Sequence, residues 1–318
     1  MDPSIAAIPS GARADATIRG GVYGFRVRSD QPLWYLRASP VGTAPTLLVR
    51  VQDDGARPSG EPLRRWVPRP DNPFRAELFA DGPSYRLRID GLGWYRISPE
   101  DDEVWMPPEA EPLRREERLY GIPLALLSAR HGFLPLHAAS VQVGEAAVAL
   151  AGPGRHGKTT LAAALMAAGH RPLSEDVTCC SLEPTPAVLP GPALLRVRAD
   201  AFEHLELPPV RITLDDGDRI HLEIPEAERG DCAPVPLAAI VLLRPGDGPP
   251  EIRAASPQRV VQDLWALSTK LPTDEDRARC FTGLTELVDR VPTYDLRHPK
   301  RWEMLPRTIE RLREVAAP

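Results

Sequence analysis

The sequence predicts a mixed α/β protein (α+β overall), with a small antiparallel β domain ahead of a phosphate-binding α/β core. Three observations carry this. The apolar run Val148-Ala149-Leu150-Ala151 enters a glycine-rich turn that is followed by an alanine- and leucine-rich stretch. Short runs of period-two alternation, bounded by Gly, Pro and Asp, fill the chain from about residue 21 to about 110. Segments of helical period appear only after about residue 115.

Taken in order, residues 1–20 show no period and read as a flexible arm. Residues 21–115 form the β-rich domain. Within it, Thr46 to Val51, Phe74 to Phe79 and Ser84 to Asp90 are strands, with Tyr85, Leu87 and Ile89 on one face and Asp81-Gly82 as a hairpin turn. Trp34, Trp66, Trp94 and Trp105 fall here with four of the six tyrosines. They either fill a small core or line a surface that receives a peptide. Pro107 to Pro112 reads as a linker, and residues 116–318 as the phosphate-binding domain. There, Glu116 to Arg130 is one helix, Leu136 to Val143 and Ala146 to Ala151 are paired strands, and Lys158 to Ala168 is a helix stopped at Gly169. Pro172 to Leu182 is a further strand-like run. Arg211 to Leu214 and Arg219 to Leu222 flank a second hairpin, and Leu237 to Leu243 is a buried strand. Helices follow near 257–268, 275–288 and 299–315, with a short strand at Tyr294 to Arg297.

Composition narrows the classes of function. A net charge of −5 and a pI near 5.9 argue against nucleic acid as a partner. The apolar runs are too short to span a bilayer, which argues against a membrane partner. The first twenty residues lack the basic start and apolar stretch of a secretion signal. Cys179, Cys180, Cys232 and Cys280 match neither a zinc nor a redox spacing and read as buried small hydrophobes. The expected location is cytoplasmic.

The turn itself carries the chemistry. Gly152, Gly157, Lys158 and Thr159 stand at the spacing G-x-x-x-x-G-K-[ST], between a strand and a helix. The cradle comprises Gly152, Gly154, Arg155, His156, Gly157, Lys158, Thr159 and Thr160. Its backbone N–H groups and the helix N-terminus favour phosphate, Lys158 reaches the outer phosphates, and the Thr159 hydroxyl helps to hold Mg²⁺. The chain has three lysines, Lys158, Lys270 and Lys300, and otherwise uses arginine, so a lysine at this place is informative. A right-handed strand–helix–strand crossover would return Glu175-Asp176 beside the loop strand, where one carboxylate could hold the metal and the other take a proton. His137 opens the neighbouring strand and serves either the site or the structure.

The blocks Leu136-His137-Ala138-Ala139-Ser140-Val141, the cradle, and Gly169-His170-Arg171-Pro172-Leu173-Ser174-Glu175-Asp176-Val177 together resemble the catalytic half of HPr kinase/phosphorylase. More closely, they resemble the HPr-kinase-like proteins of lasso-peptide and related peptide natural-product clusters. The resemblance runs weakly through Leu189 to Pro192, Leu195-Arg196, Pro236 to Ile240 and Pro292 to Leu296, so it covers roughly 130–318. It implies an HPr-kinase/PEP-carboxykinase-like P-loop core, ATP and Mg²⁺ as cofactors, and Glu175, Asp176, His137 and Lys158 as the catalytic group. Thr159 and Asp176 are implied at the metal. The family usually has two aspartates where this chain has Glu175-Asp176, and the first of them handles the proton, so Glu175 inherits that role. The long signature used for the phosphorylase reaction is absent, which argues against HPr itself as the acceptor. Arg196, Arg198 and Arg219 could each contact phosphate or acceptor.

Three functions follow. One is a kinase of a serine in a ribosomal precursor peptide. Another is a kinase of a small hydroxyl-bearing substrate such as free serine. The third is an ATP-sensing regulatory protein without catalysis. A cradle, a carboxylate pair and a histidine together favour catalysis, because a sensor needs no proton-handling group. Self-association into a homo-oligomer stays open.

Overall fold

A computed structural model describes residues 17–39, 44–53, 55–68, 74–268 and 271–316. The arm expected over residues 1–20 lies outside the described residues as far as 16, and Thr17 to Gly20 are already strand.

The first sheet is built from β1 (Thr17–Val22), β2 (Phe25–Ser29), β3 (Thr46–Val51), β4 (Arg64–Trp66), β5 (Ala76–Asp81), β6 (Ser84–Ile89), β7 (Gly93–Ser98) and β8 (Glu103–Met106). Its strand order is β1-β2-β3-β8-β7-β6-β5-β4. The expectation of an antiparallel sheet needs one correction, because β3 pairs in parallel with both β2 and β8. The long connection between β2 and β3 permits this, since parallel neighbours need a crossover that a tight turn cannot supply. Hairpins join β5 to β6 at the expected Asp81-Gly82, and β1 to β2 at Tyr23-Gly24. The aromatic residues differ in burial, and Trp34, Trp66 and Tyr85 pack against the core from its edge. Tyr23, Tyr35 and Tyr95 are buried, whereas Trp34, Trp66, Trp94 and Trp105 are half-buried. Arginine guanidinium groups lie over three of the latter: Arg57 on Trp94, Arg64 on Trp66 and Arg96 on Trp105.

After the sheet come α1 (Pro112–Leu119) and α2 (Ile122–Arg130), where one helix from Glu116 was expected. The helix begins early because the Glu111 carboxylate accepts from the N–H groups of Leu113 and Arg114, and it breaks at Tyr120-Gly121. Then follow β9 (Leu134–Leu136), β10 (Ala138–Val143), β11 (Ala146–Ala151), α3 (Lys158–Ala167), β12 (Arg171–Ser174), β13 (Thr178–Ser181), β14 (Ala187–Leu189) and β15 (Leu194–Arg198). Next are α4 (Ala199–His204), β16 (Arg211–Asp215), β17 (Arg219–Glu223), α5 (Glu226–Arg229), β18 (Val235–Pro245), β19 (Glu251–Ala254), α6 (Pro257–Leu267), α7 (Asp274–Arg290), β20 (Thr293–His298) and α8 (Leu305–Ala316).

The second sheet has nine strands in the order β12-β10-β11-β18-β14-β13-β9, with β20 also on β18 and β19 on β20. The long strand β18 lets it branch: Val235 and Pro236 pair with β14, and the residues beyond them run parallel to β11 and β20. Two runs expected as single strands are each cut in two. Leu136 to Val143 breaks at His137, and Pro172 to Leu182 breaks at 175–177. Beyond each break the chain changes partners, β9 with β13 on one side and β10 with β12 on the other. The crossover after α3 places β12 on β10 rather than on the loop strand β11, with β10 between them. A third sheet, β15-β17-β16, covers part of α3.

Strand β11 is buried on both faces, as an unbroken apolar run requires. Ala147, Ala149 and Ala151 face a core shared with the first sheet, α2, α6 and α7; Val148 and Leu150 face a second core around α3 and α8. The larger core runs without a break from the first sheet into the second. Among the described residues, no helix is long and apolar enough to cross a membrane.

Candidate active site

The turn after β11 is glycine-rich, and it enters α3 through left-handed backbone at Arg155 and Gly157. Gly157 caps α3 at φ +93°, in the left-handed region open to glycine, and a Cβ there would lie 3.2 Å from His298 Cε1. The left-handed backbone favours glycine at this position, and the close approach of the His298 ring adds to it. Gly154 and Arg155 face solvent, and Lys158 is tucked under the loop, where Nζ donates to Gly152 O at 2.7 Å and Pro153 O at 3.2 Å. Burial lowers the pKa of Lys158, and the charges of Asp176 and Glu175 oppose that shift.

The two strand breaks meet above α3. Thr159 Oγ1 donates to Glu175 Oε1 at 2.9 Å, and Arg196 Nε donates to Glu175 Oε2 at 2.8 Å. Arg196 Nη2 lies 3.2 Å from Asp176 Oδ2, and His137 Nδ1 lies 3.3 Å from Asp176 Oδ1. Arg219 Nη1 donates to Arg196 O at 2.9 Å and stands 3.9 Å from Glu175 Oε1. The carboxylates differ in access, with side-chain exposures of 6% for Glu175 and 49% for Asp176. Burial pushes the Asp176 carboxyl up, but the His137 imidazole, Arg196 and Lys158 outweigh it and hold the group well below its ordinary value. Burial likewise works against the Arg196 charge and is outweighed by Glu175 and Asp176.

A hydroxyl cluster props the break from beneath. Ser174 Oγ lies 2.6 Å from both Ser140 Oγ and Thr178 Oγ1, and Thr178 donates to Ala138 O at 2.9 Å. These bonds knit β10, β12 and β13 together around the gap that releases Glu175 and Asp176.

The fold thus gathers Lys158, Thr159, Glu175, Asp176 and His137 into one cluster and adds Arg196 and Arg219 to it. Arg198 turns away, 3.4 Å from Asp200 and 3.2 Å from Asp218. Sequence reasoning missed a buried pair behind Arg196, in which His221 Nδ1 lies 2.6 Å from Glu117 Oε1. His221 lies in the second hairpin, but what sets it across from Arg196 is the pairing of β17 with β15, which the hairpin signal does not report. Glu117 gave no signal of its own.

The donors suit a hard divalent cation. Among the described residues no three His, Cys, Asp or Glu side chains form a metal cluster. Thr159, Glu175 and Asp176 offer a hydroxyl and two carboxylates beside the cradle, and the Thr159 hydroxyl already points at Glu175. Few protein oxygens next to a phosphate site is what Mg²⁺ takes, since it keeps water and phosphate as its other ligands.

No protein-family model matches the chain, and no curated protein matches it. Among solved structures it is similar to the HPr(Ser) kinase/phosphatase from Coxiella burnetii, at 14% identity and a TM-score of 0.30. The match covers 57% of this chain and 96% of that one. So remote a likeness leaves the function to be argued from the side chains themselves.

Proposed function

We propose that the protein is an ATP- and Mg²⁺-dependent phosphotransferase acting on a hydroxyl, with a serine of a ribosomally made precursor peptide as acceptor. The observation that supports this is the pairing of two unlike carboxylates beside a phosphate cradle. A nucleotide sensor needs the cradle and a metal ligand, but has no use for a second, accessible carboxylate flanked by a histidine and an arginine. When bound, ATP supplies the phosphoryl group and Mg²⁺ offsets the charge on its oxygens.

The two carboxylates divide the work by access. Both Glu175 oxygens are engaged, one by Thr159 and one by Arg196, so Glu175 fixes the hydroxyl that would hold the metal. Asp176 is half-exposed, with His137 on one oxygen and Arg196 on the other. Asp176 therefore takes the proton of the acceptor hydroxyl as the new O–P bond forms and the bond to the departing ADP breaks. This exchanges the roles that the family resemblance implies for the pair. Its low pKa keeps Asp176 ionised at neutral pH, and in a loose transition state placement of the acceptor counts for more than basicity. The half-buried tryptophans with their stacked arginines offer an extended peptide both apolar and cationic contacts.

Mass spectrometry of a candidate peptide and of free serine, each incubated with ATP and Mg²⁺, tests the reading. A phosphoryl group on a peptide serine is expected. Asp176→Asn should cut turnover by about 100-fold with ATP affinity within a few-fold, and Glu175→Gln should chiefly raise the Mg²⁺ requirement. Phosphorylation of free serine with an untouched peptide would replace the acceptor. ATP binding without transfer to any hydroxyl would leave a sensor.

A further inference from the structure

The turn that carries Glu175 and Asp176 is gripped by the other end of the chain. In the β1–β2 hairpin Tyr23 and Gly24 both have left-handed backbone, at φ +50° and +80°. Glycine adopts that freely, whereas a residue with a Cβ such as tyrosine is disfavoured there. The residue held in this unfavourable conformation is 1% exposed, and its hydroxyl donates to Val177 O at 3.0 Å, the carbonyl next after Asp176. The Tyr23 N–H donates to Pro190 O at 2.7 Å. A Cβ on Gly191 would lie 2.7 Å from Tyr23 Cε1 and 3.1 Å from Ser174 Cβ. The ring therefore occupies a slot that only glycine leaves open, which explains the Gly191 of the Leu189 to Pro192 block.

Arg37 completes the grip. It is bridged to Gly21 just before the hairpin turn and is 1% exposed. Its Nε donates to Gly191 O at 2.7 Å, and its Nη2 to Pro172 O at 2.8 Å and Leu173 O at 3.2 Å. Two side chains from the β1–β2 turn and the segment after β2 thus bind the backbone on both sides of the carboxylates, at 172–173 before them and at 177 after them. Apolar packing alone would be served as well by phenylalanine at position 23. The hydroxyl, by contrast, is aimed at backbone carbonyls, Val177 O beside Asp176 at 3.0 Å and Tyr120 O at the longer distance of 3.5 Å.

We propose that Tyr23 and Arg37 are positioning residues for Asp176, holding the 175–177 turn so that its carboxylates face the phosphate loop. The first sheet is then a built-in support of the reactive centre, whatever else it binds. The kinetic consequence rests on the phosphotransferase reading; the structural one does not.

Tyr23→Phe in the full chain is the test, because it keeps the ring and removes only the hydroxyl. Turnover should fall about 10-fold while the KM for ATP stays within about twofold, since only placement of the acceptor base is loosened. Amide hydrogen exchange should quicken at 175–178 and stay unchanged in α3. Arg37→Lys, which keeps the charge and loses the fork, should quicken exchange at 173–175 in the same way. Unchanged exchange at these segments, or quickened exchange with unchanged turnover, overturns the proposal. If the wild type transfers no phosphoryl group to any acceptor, the phosphotransferase reading falls. Exchange at 175–178 then still decides whether Tyr23 holds the turn.

Discussion

Arg196 donates through Nε to Glu175 Oε2 at 2.8 Å, and the carboxylate it meets is almost wholly buried. The same guanidinium reaches Asp176, so one side chain from β15 sets the spacing of both acids. A buried ion pair contributes little net stability, but breaking it from one side is costly because the remaining charge is left without a partner.

Arg196→Ala should accordingly destabilise the fold by roughly 3–5 kcal/mol. Adding Glu175→Gln to that variant should restore part of the loss, because the orphaned charge is removed with its partner. Denaturant unfolding of the wild type, both single variants and the double variant measures this coupling. Strict additivity would mean that the pair is energetically inert.

Lys158→Ala should weaken ATP·Mg²⁺ binding by at least about 100-fold, the worth of one charge-assisted phosphate contact in a largely desolvated cradle. The bonds that Nζ makes to Gly152 O and Pro153 O are lost as well, and the first of them is buried. The unfolding midpoint should therefore fall by a few degrees. Calorimetric titration alongside thermal unfolding checks both halves.

Glu116 predicts a pH dependence outside the site. It is fully buried; its oxygens accept from the N–H groups of Trp34 and Tyr35, both at 2.8 Å, and from Tyr120 Oη at 2.6 Å. Burial raises its pKa from 4.5 to about 7 against the pull of those three donors. The folded chain thus holds this proton more tightly than the unfolded chain. Stability from this group is complete below the unfolded value and is lost as pH rises through about 7. Glu116→Gln does not titrate, so the stability of the wild type relative to this variant should fall by roughly 3 kcal/mol between pH 4 and 8. A difference that stays flat, or that grows with pH, would show that the three donors outweigh burial.

Much of the fold was legible because local chemistry wrote it. The glycine spacing, the single cradle lysine and the helix after it are local features, and β11, the loop and α3 stand where they were expected. The hairpins at Asp81-Gly82 and Asp215 to Asp218 are likewise short-range, and so is the buried run of β18. Glu175, Asp176 and His137 could be named because their residue types suit the chemistry.

What the sequence by itself determined was thus the cradle, the strand and helix around it, and a short list of acids. Only the tertiary structure decided how those acids are placed. The runs holding His137 and Glu175-Asp176 look continuous because apolar residues lie on both sides of each break. Sheet branching, which is a long-range property, is what cuts them and turns their polar residues toward α3. Arg196 could not be told from the many other arginines until the β15–β17 pairing set it beside Glu175. Tyr23 and Arg37 lie more than a hundred residues from the turn they hold, as the bond from Tyr23 to Val177 shows. No periodicity reports a hydrogen bond over that separation, because side-chain partners so distant in sequence are chosen by how packed sheets meet.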